Sequence, residues 1–288
     1  MSLSYYQSID EFLGARESRY FGRGYVNTSQ VISDFSLVEN EDDVTFACAG
    51  MVMLPDVWSA KGTRRQKPHL SSIDAIEFAM ECLGLVFRRV FPGHEFSSEL
   101  VEKMSVVAGK EPIEEDLDAI PLAGRVRKGP MGTGVLEMHI SNMKVNLVFS
   151  IEKLKHQFLM GQEKQPVLIN DLLLNQDKLN ASAIVSPERQ NMAESWSLSS
   201  CFAAALQLGQ VLLYKLDSLS RETSSTLWMR RISIDVSPGI PALDKPQPIY
   251  ARLDNVKKLQ MDGAEWRCAD ISSIMCNTHI VCSVAHKI

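Results

Sequence analysis

His69 stands between Pro68 and an apolar stretch, just after the polar run Lys61–Lys67. A neutral imidazole near pH 7 takes or gives a proton, so a histidine at the mouth of a helix suits general acid–base chemistry. A capping or hydrogen-bonding histidine is the structural alternative. Asp74 lies five residues further on. It would either orient His69 or serve the helix dipole from the first turn. Glu194 is the carboxylate that an internal repeat aligns with His69, and it too suits a first-turn role. A histidine and a carboxylate from different parts of a fold can divide acid and base work between them. Ser71, Ser72, Ser195 and Ser197 share these entrances, first as caps and second as groups that position an acyl carbonyl. Arg64, Arg65 and Lys67 suit the phosphates of coenzyme A, of a carrier-protein arm or of a sugar phosphate, or else form a solvated loop.

Other chemistries find little footing. There is no GxSxG elbow for a hydrolase serine. Residues 129–134 hold three glycines, but no lysine follows, so they read as a strand-to-strand turn and not a phosphate loop. His139, His279 and His286 lie in strand-like runs without neighbouring ligands, and no metal site is expected. The six cysteines form no CxxC pair, which argues against zinc and against a disulfide framework.

Two long helices must position these residues. The first runs from about Ser71 to Val90, with an apolar stripe of Ile73, Ile76, Met80, Leu83 and Phe87, and Pro92-Gly93 stops it. The second runs from about Glu194 to Leu219, with Leu198, Cys201, Ala205, Leu208 and Leu212. These two stripes coincide under a shift of 125, which also superposes Ala79 on Ala204 and Gly84 on Gly209. A glycine inside a helix costs about 1 kcal/mol against alanine, so it signals a close neighbour. Further on, 122–126 parallels 249–253 at an offset of 127.

Strands are expected at Tyr20–Val26, Gln30–Leu37 and Val44–Leu54 before the first helix. More follow each helix, among them Lys103–Ala108, Trp228–Val236 and His279–His286. Val167–Leu174, in the link between halves, reads as a helical piece. Each half therefore places a long buried helix against curved antiparallel strands. That is an α+β double hot dog, with residues 1–160 as the first half and 161–288 as the second. An ordinary α+β sandwich is the alternative.

The chain has 288 residues, 45% hydrophobic and 23% charged, as a folded globule should. Its net charge of -5, with scattered basic residues, argues against nucleic acid. No apolar run reaches the roughly 18–20 residues of a membrane span, and Met1–Ser18 does not read as a signal peptide. A cytoplasmic protein is expected.

Three stretches carry a resemblance: Glu17–Tyr25 (ESRYFGRGY), Asp56–Ser59 (DVWS) and Pro68–Ala75 (PHLSSIDA). Together they resemble the avirulence D family of plant-associated and other bacteria. That resemblance implies synthesis of acylated, sugar-derived lactones, by condensation of a β-ketoacyl thioester with a sugar-like polyol. It implies no cofactor beyond the thioester carrier, coenzyme A or acyl carrier protein. A hot-dog dehydratase or hydratase, and a non-catalytic acyl-ligand binding protein, are the competing readings. A homodimer stays open. The resulting site comprises His69, Glu194 and Asp74 as catalytic groups, with Ser71, Ser72, Ser197, Arg64 and Arg65 binding substrate.

Overall fold

The computed structural model describes residues 2–90, 96–153, 164–188, 196–238, 245–261 and 263–288. The chain opens with strand β1 (Leu3–Ser8) and a short helix α1 (Asp10–Leu13). The first half continues through β2 (Ser29–Glu39), β3 (Asp43–Met53), a small hairpin of β4 (Ala60–Lys61) and β5 (Arg64–Arg65), and helix α2 (Ser72–Val90). It closes with β6 (Val101–Val107), β7 (Ile120–Lys128), β8 (Thr133–Ile140) and β9 (Met143–Ser150). The second half repeats this plan with β10 (Val167–Asn175), β11 (Asn180–Pro187) and helix α3 (Leu198–Leu216). Then come β12 (Trp228–Val236), β13 (Gln247–Met261), β14 (Ala264–Met275) and β15 (Thr278–Lys287).

All strands except the hairpin join one antiparallel sheet in the order β1-β10-β11-β13-β14-β15-β12-β6-β9-β8-β7-β3-β2. Read outward from the β12–β6 seam, the order is β6-β9-β8-β7-β3-β2 on one side and β12-β15-β14-β13-β11-β10 on the other, so the first strand after each helix lies at the seam and the strands before it lie outermost, with β1 added beyond β10. The seam pairs Ile232 with Val106, Ser233 with Ser105 and Ile234 with Met104. Lys103 and Asp235 add an ion pair of 3.1 Å across it. The two sheets expected from the sequence are therefore one continuous sheet. The stretches 122–126 and 249–253 fall on β7 and β13, which hold equivalent places in it.

The helices carry the core. Sixteen of the 19 residues of α3 are buried, against 11 of the 19 in α2. An all-round apolar helix must be enclosed, while α2 keeps a polar face with Glu81, Arg88 and Arg89 exposed. The helices touch each other, and α2 packs on β2, β3, β6, β8 and β9 while α3 packs on β10, β11, β13, β14 and β15. The repeated glycines differ in their surroundings. A side chain at Gly209 would meet Ile271 at 2.3 Å, but one at Gly84 would meet nothing within 4 Å. No helix among the described residues is long and apolar enough to cross a membrane.

Three local expectations need correction. Tyr20–Val26 forms turns and a 3-10 segment, not a strand. Its glycines explain this: a side chain at Gly22 would strike the Arg16 carbonyl at 2.6 Å, and one at Gly24 the Trp58 carbonyl at 2.8 Å. Val167–Leu174 belongs to β10, not to a helix, because its buried residues alternate in the sheet. The second helix begins at Leu198 among the described residues, with Ser197 as its cap.

Candidate functional site

The entrance of α2 is built by a reciprocal cap. Ser71 Oγ accepts from the Asp74 amide at 3.1 Å, and the Asp74 carboxylate accepts from the Ser71 amide at 2.8 Å. This capping box satisfies two of the helix's orphan donors. It leaves the Ser72 and Ile73 amides unbonded among the described residues. Ser71 Oγ also donates to Asp74 at 2.7 Å, so the Tyr20 hydroxyl, 2.6 Å away, must donate to Ser71. On the other side Gln30 Nε2 donates to Asp74 at 2.6 Å, and Lys164 donates to Gln30 at 3.0 Å. Burial raises the Asp74 pKa above the ordinary 3.8, against the pull of its hydrogen bonds from Ser71 and Gln30. Burial likewise holds the Tyr20 hydroxyl well above its usual range, so it stays protonated.

His69 sits two residues before this cap. Its ring meets that of Trp58 edge to face, with centroids 4.7 Å apart, and Trp58 in turn lies 4.8 Å from Tyr20. Its Nδ1 lies 3.2 Å from the Lys67 carbonyl. A carbonyl only accepts, so in the neutral ring Nδ1 carries the proton and Nε2 keeps its lone pair. Burial pushes the His69 pKa below the ordinary 6.5, although the Lys67 carbonyl and the charges of Asp74 and Glu114 act the other way. The ring is therefore neutral, and basic at Nε2, at pH 7.

A cavity of about 420 Å³ opens beside these residues. His69, Ser71, Ser72, Tyr20 and Trp58 line it from the first half. Gln210 of α3 and the segment Ser225–Met229 line it from the second. Leu70, Ile113, Leu227 and Met229 give part of the wall an apolar character.

The other predicted residues lie apart from this wall. Asp74 stands behind Ser71 and acts on the cavity only through it. Ser197 caps α3, accepting from the Ser200 amide at 3.1 Å, and does not line the cavity. Arg64 and Arg65 are exposed on the β4–β5 hairpin and do not line it either, whereas Lys67 does. Lys67 is tied to Glu114 at 2.9 Å. Glu194 lies outside the described residues.

The sequence model of the Pseudomonas avirulence D protein (AvrD) family matches residues 4–168 and 152–288, which together span nearly the whole chain. The chain belongs to the avirulence D family. No curated protein matches it. Among solved structures it is similar to a conserved protein with a hot dog fold from Alicyclobacillus acidocaldarius. That pair has 7% identity and a TM-score of 0.45, over 88% of this chain and 96% of that one. It is also similar to the tesB protein of Mycobacterium avium subsp. paratuberculosis (10% identity, TM-score 0.41, 88% and 94% covered). The dehydratase domain of RzxB from Pseudomonas fluorescens is a third (10% identity, TM-score 0.42, 88% and 97% covered).

In this avirulence D family member, the three stretches that carried the resemblance meet in space. Tyr20 comes from the first, Trp58 from the second, and His69 and Ser71 from the third; they form one contiguous wall. Gly24 permits it, because its backbone lies against the Trp58 carbonyl. Sequence reasoning assigned no role to Tyr20, Trp58, Arg19 or Arg221, which all line the cavity. The first three lie in quoted family stretches, which was the available signal. Arg221 follows the second helix in a polar turn and offered none.

Proposed function

We propose that this chain is a cytoplasmic biosynthetic enzyme that condenses a β-ketoacyl thioester with a sugar-like polyol. The product is a lactone-type or acylated-sugar metabolite. Within this reading, residues 1–160 and 161–288 are the halves of a double hot dog, a reading supported by the mirrored strand order about the β12–β6 seam.

The observation that carries the proposal is the convergence of the three family stretches on one cavity wall that bears a basic His69 Nε2. His69 takes the proton of a polyol hydroxyl as its oxygen attacks the thioester carbonyl. The C–O bond forms, the C–S bond breaks, and the proton passes from His69 to the departing thiolate. The Ser72 amide at the start of α2, where Ser72 lines the cavity, suits the oxyanion that develops between these events. The apolar wall takes the acyl chain.

The test is incubation with a β-ketoacyl thioester, with and without candidate polyols, following free thiol and product mass. Thiol release that requires the polyol is expected. Conversion of an enoyl thioester without thiol release would replace the proposal with dehydratase or hydratase chemistry. Retained thioester without turnover would make the protein a binder.

A further inference from the structure

The whole chain carries a net charge of -5, yet its cavity is basic. Among the described residues Arg19, Lys61, Lys67, Arg221 and Lys287 line it, against Glu111 and Glu114. Lys67, at the exposed rim, is neutralised by Glu114. The others include a buried group. Arg19 is 3% exposed and Arg221 9% exposed, and Lys61 is half-buried beside Arg221.

These groups are short of counter-charge. Arg19 pairs with Asp10 through Nη2, but its Nε and Nη1 are buried without a hydrogen-bond partner among the described residues. Arg221 spends Nη2 on the Ser18 carbonyl at 3.0 Å. Among the described residues Lys61 Nζ donates to uncharged oxygens: the carbonyl and hydroxyl of Ser224 at 3.2 and 3.1 Å, and the Ser225 carbonyl at 2.5 Å. Burial brings Lys61 down to about 8, and the charges of Arg221 and Arg64 push the same way. Burial brings Arg19 down to about 10, with Arg221 again opposing its charge while Asp10 supports it. Glu17 and Glu222 are the other carboxylates whose charge reaches these guanidinium groups. A fold that buries like charges together gains when an anion joins them.

We infer that Arg19, Lys61 and Arg221 form a subsite for the phosphate of a small phosphorylated polyol, the acceptor in the reaction proposed above. The inference rests on that reading for the ligand's role. Arg221 and Lys61 match a phosphate dianion, which offers oxygens to several donors at once, and the buried Arg19 guanidinium adds its charge beside Arg221. The burial of the guanidinium groups favours a small ligand. The phosphate of a thioester carrier belongs nearer the rim, because the nucleotide or protein behind it cannot enter a cavity of about 420 Å³.

The test is calorimetric binding of glycerol 3-phosphate, glycerol, inorganic phosphate and 4′-phosphopantetheine to the full chain, without any acyl substrate. Glycerol 3-phosphate should bind, glycerol should not, and inorganic phosphate should compete. Arg221→Gln should weaken glycerol 3-phosphate binding about tenfold or more, and Lys61→Met should act in the same direction. Arg221→Lys keeps the charge and should retain part of the affinity, so a loss by misfolding is distinguishable from a loss of charge. Equal binding of glycerol and its phosphate, or unchanged affinity in folded Arg221→Gln, overturns the inference. Tighter binding of 4′-phosphopantetheine than of glycerol 3-phosphate also overturns it, by giving the cluster to the carrier. A protein that binds the phosphate but releases no thiol keeps this inference and loses the proposed reaction, and the converse result loses only the inference.

Discussion

The His69 and Trp58 rings meet edge to face, 4.7 Å between centroids, while His69 Nδ1 is held by the Lys67 carbonyl. Two contacts thus fix the plane and the tautomer of one imidazole at a cavity wall. If Nε2 is the base, His69→Ala should lower kcat/KM about 10²–10⁴-fold, the usual range for a lost general base. Its thermal unfolding should stay cooperative. A folded variant with unchanged turnover would remove His69 from the mechanism.

The pH dependence follows from the same residue. Burial lowers the His69 pKa from 6.5, so the neutral base predominates at pH 7. Activity should hold level above 6.5 and fall with a midpoint below it. Stability follows the same sign: the unfolded chain binds this proton more readily, so the His69 contribution is present above 6.5 and lost as pH falls through its folded pKa. His69→Asn should flatten that part of a urea-midpoint profile against pH. A profile unchanged by the substitution would contradict this assignment.

Asp74 should matter for stability first. It closes the capping box on Ser71 and accepts from Gln30 in a buried site. Asp74→Ala should cost about 2 kcal/mol, from the lost cap and the buried donors left unpaired. Asp74→Asn keeps one acceptor and removes a carboxylate that burial makes hard to ionise, so its loss should be smaller. Denaturant midpoints of the two variants decide the order.

The paired glycines offer opposite outcomes for the same change. Gly84→Ala should stabilise the protein by about 1 kcal/mol, because the new methyl group meets nothing and the helix propensity improves. Gly209→Ala should destabilise it by about 1–3 kcal/mol, because Ile271 already fills that space. Melting temperatures moving in the same direction would refute the packing argument.

Much of this architecture was legible because both helices carry apolar spacings of three and four. Ser72–Val90 matches its expected span to one residue. The Gly84–Gly209 coincidence pointed to a real repeat but to only one close contact, since open space and a packed isoleucine leave the same letter in a sequence. Tyr20–Val26 misled because its aromatics suit a strand, whereas its glycines serve close approaches to Arg16 and Trp58 from elsewhere in the chain. β1 was missed because it is a rim strand whose burial alternates only weakly, and its partner β10 lies more than 150 residues away. For the site, His69 and Ser71 were visible beside a helix start. The cationic cluster was not, because Arg19, Lys61 and Arg221 are brought together only by tertiary folding.

The β12–β6 seam has a consequence for how the chain can be cut. Each half alone would carry a raw ladder of N–H and C=O groups along the strand that its sister now satisfies. Such halves are adhesive by construction and each fits the other's cut edge. Produced as two separate polypeptides, they should seek one another and rebuild the protein, in preference to living as independent domains.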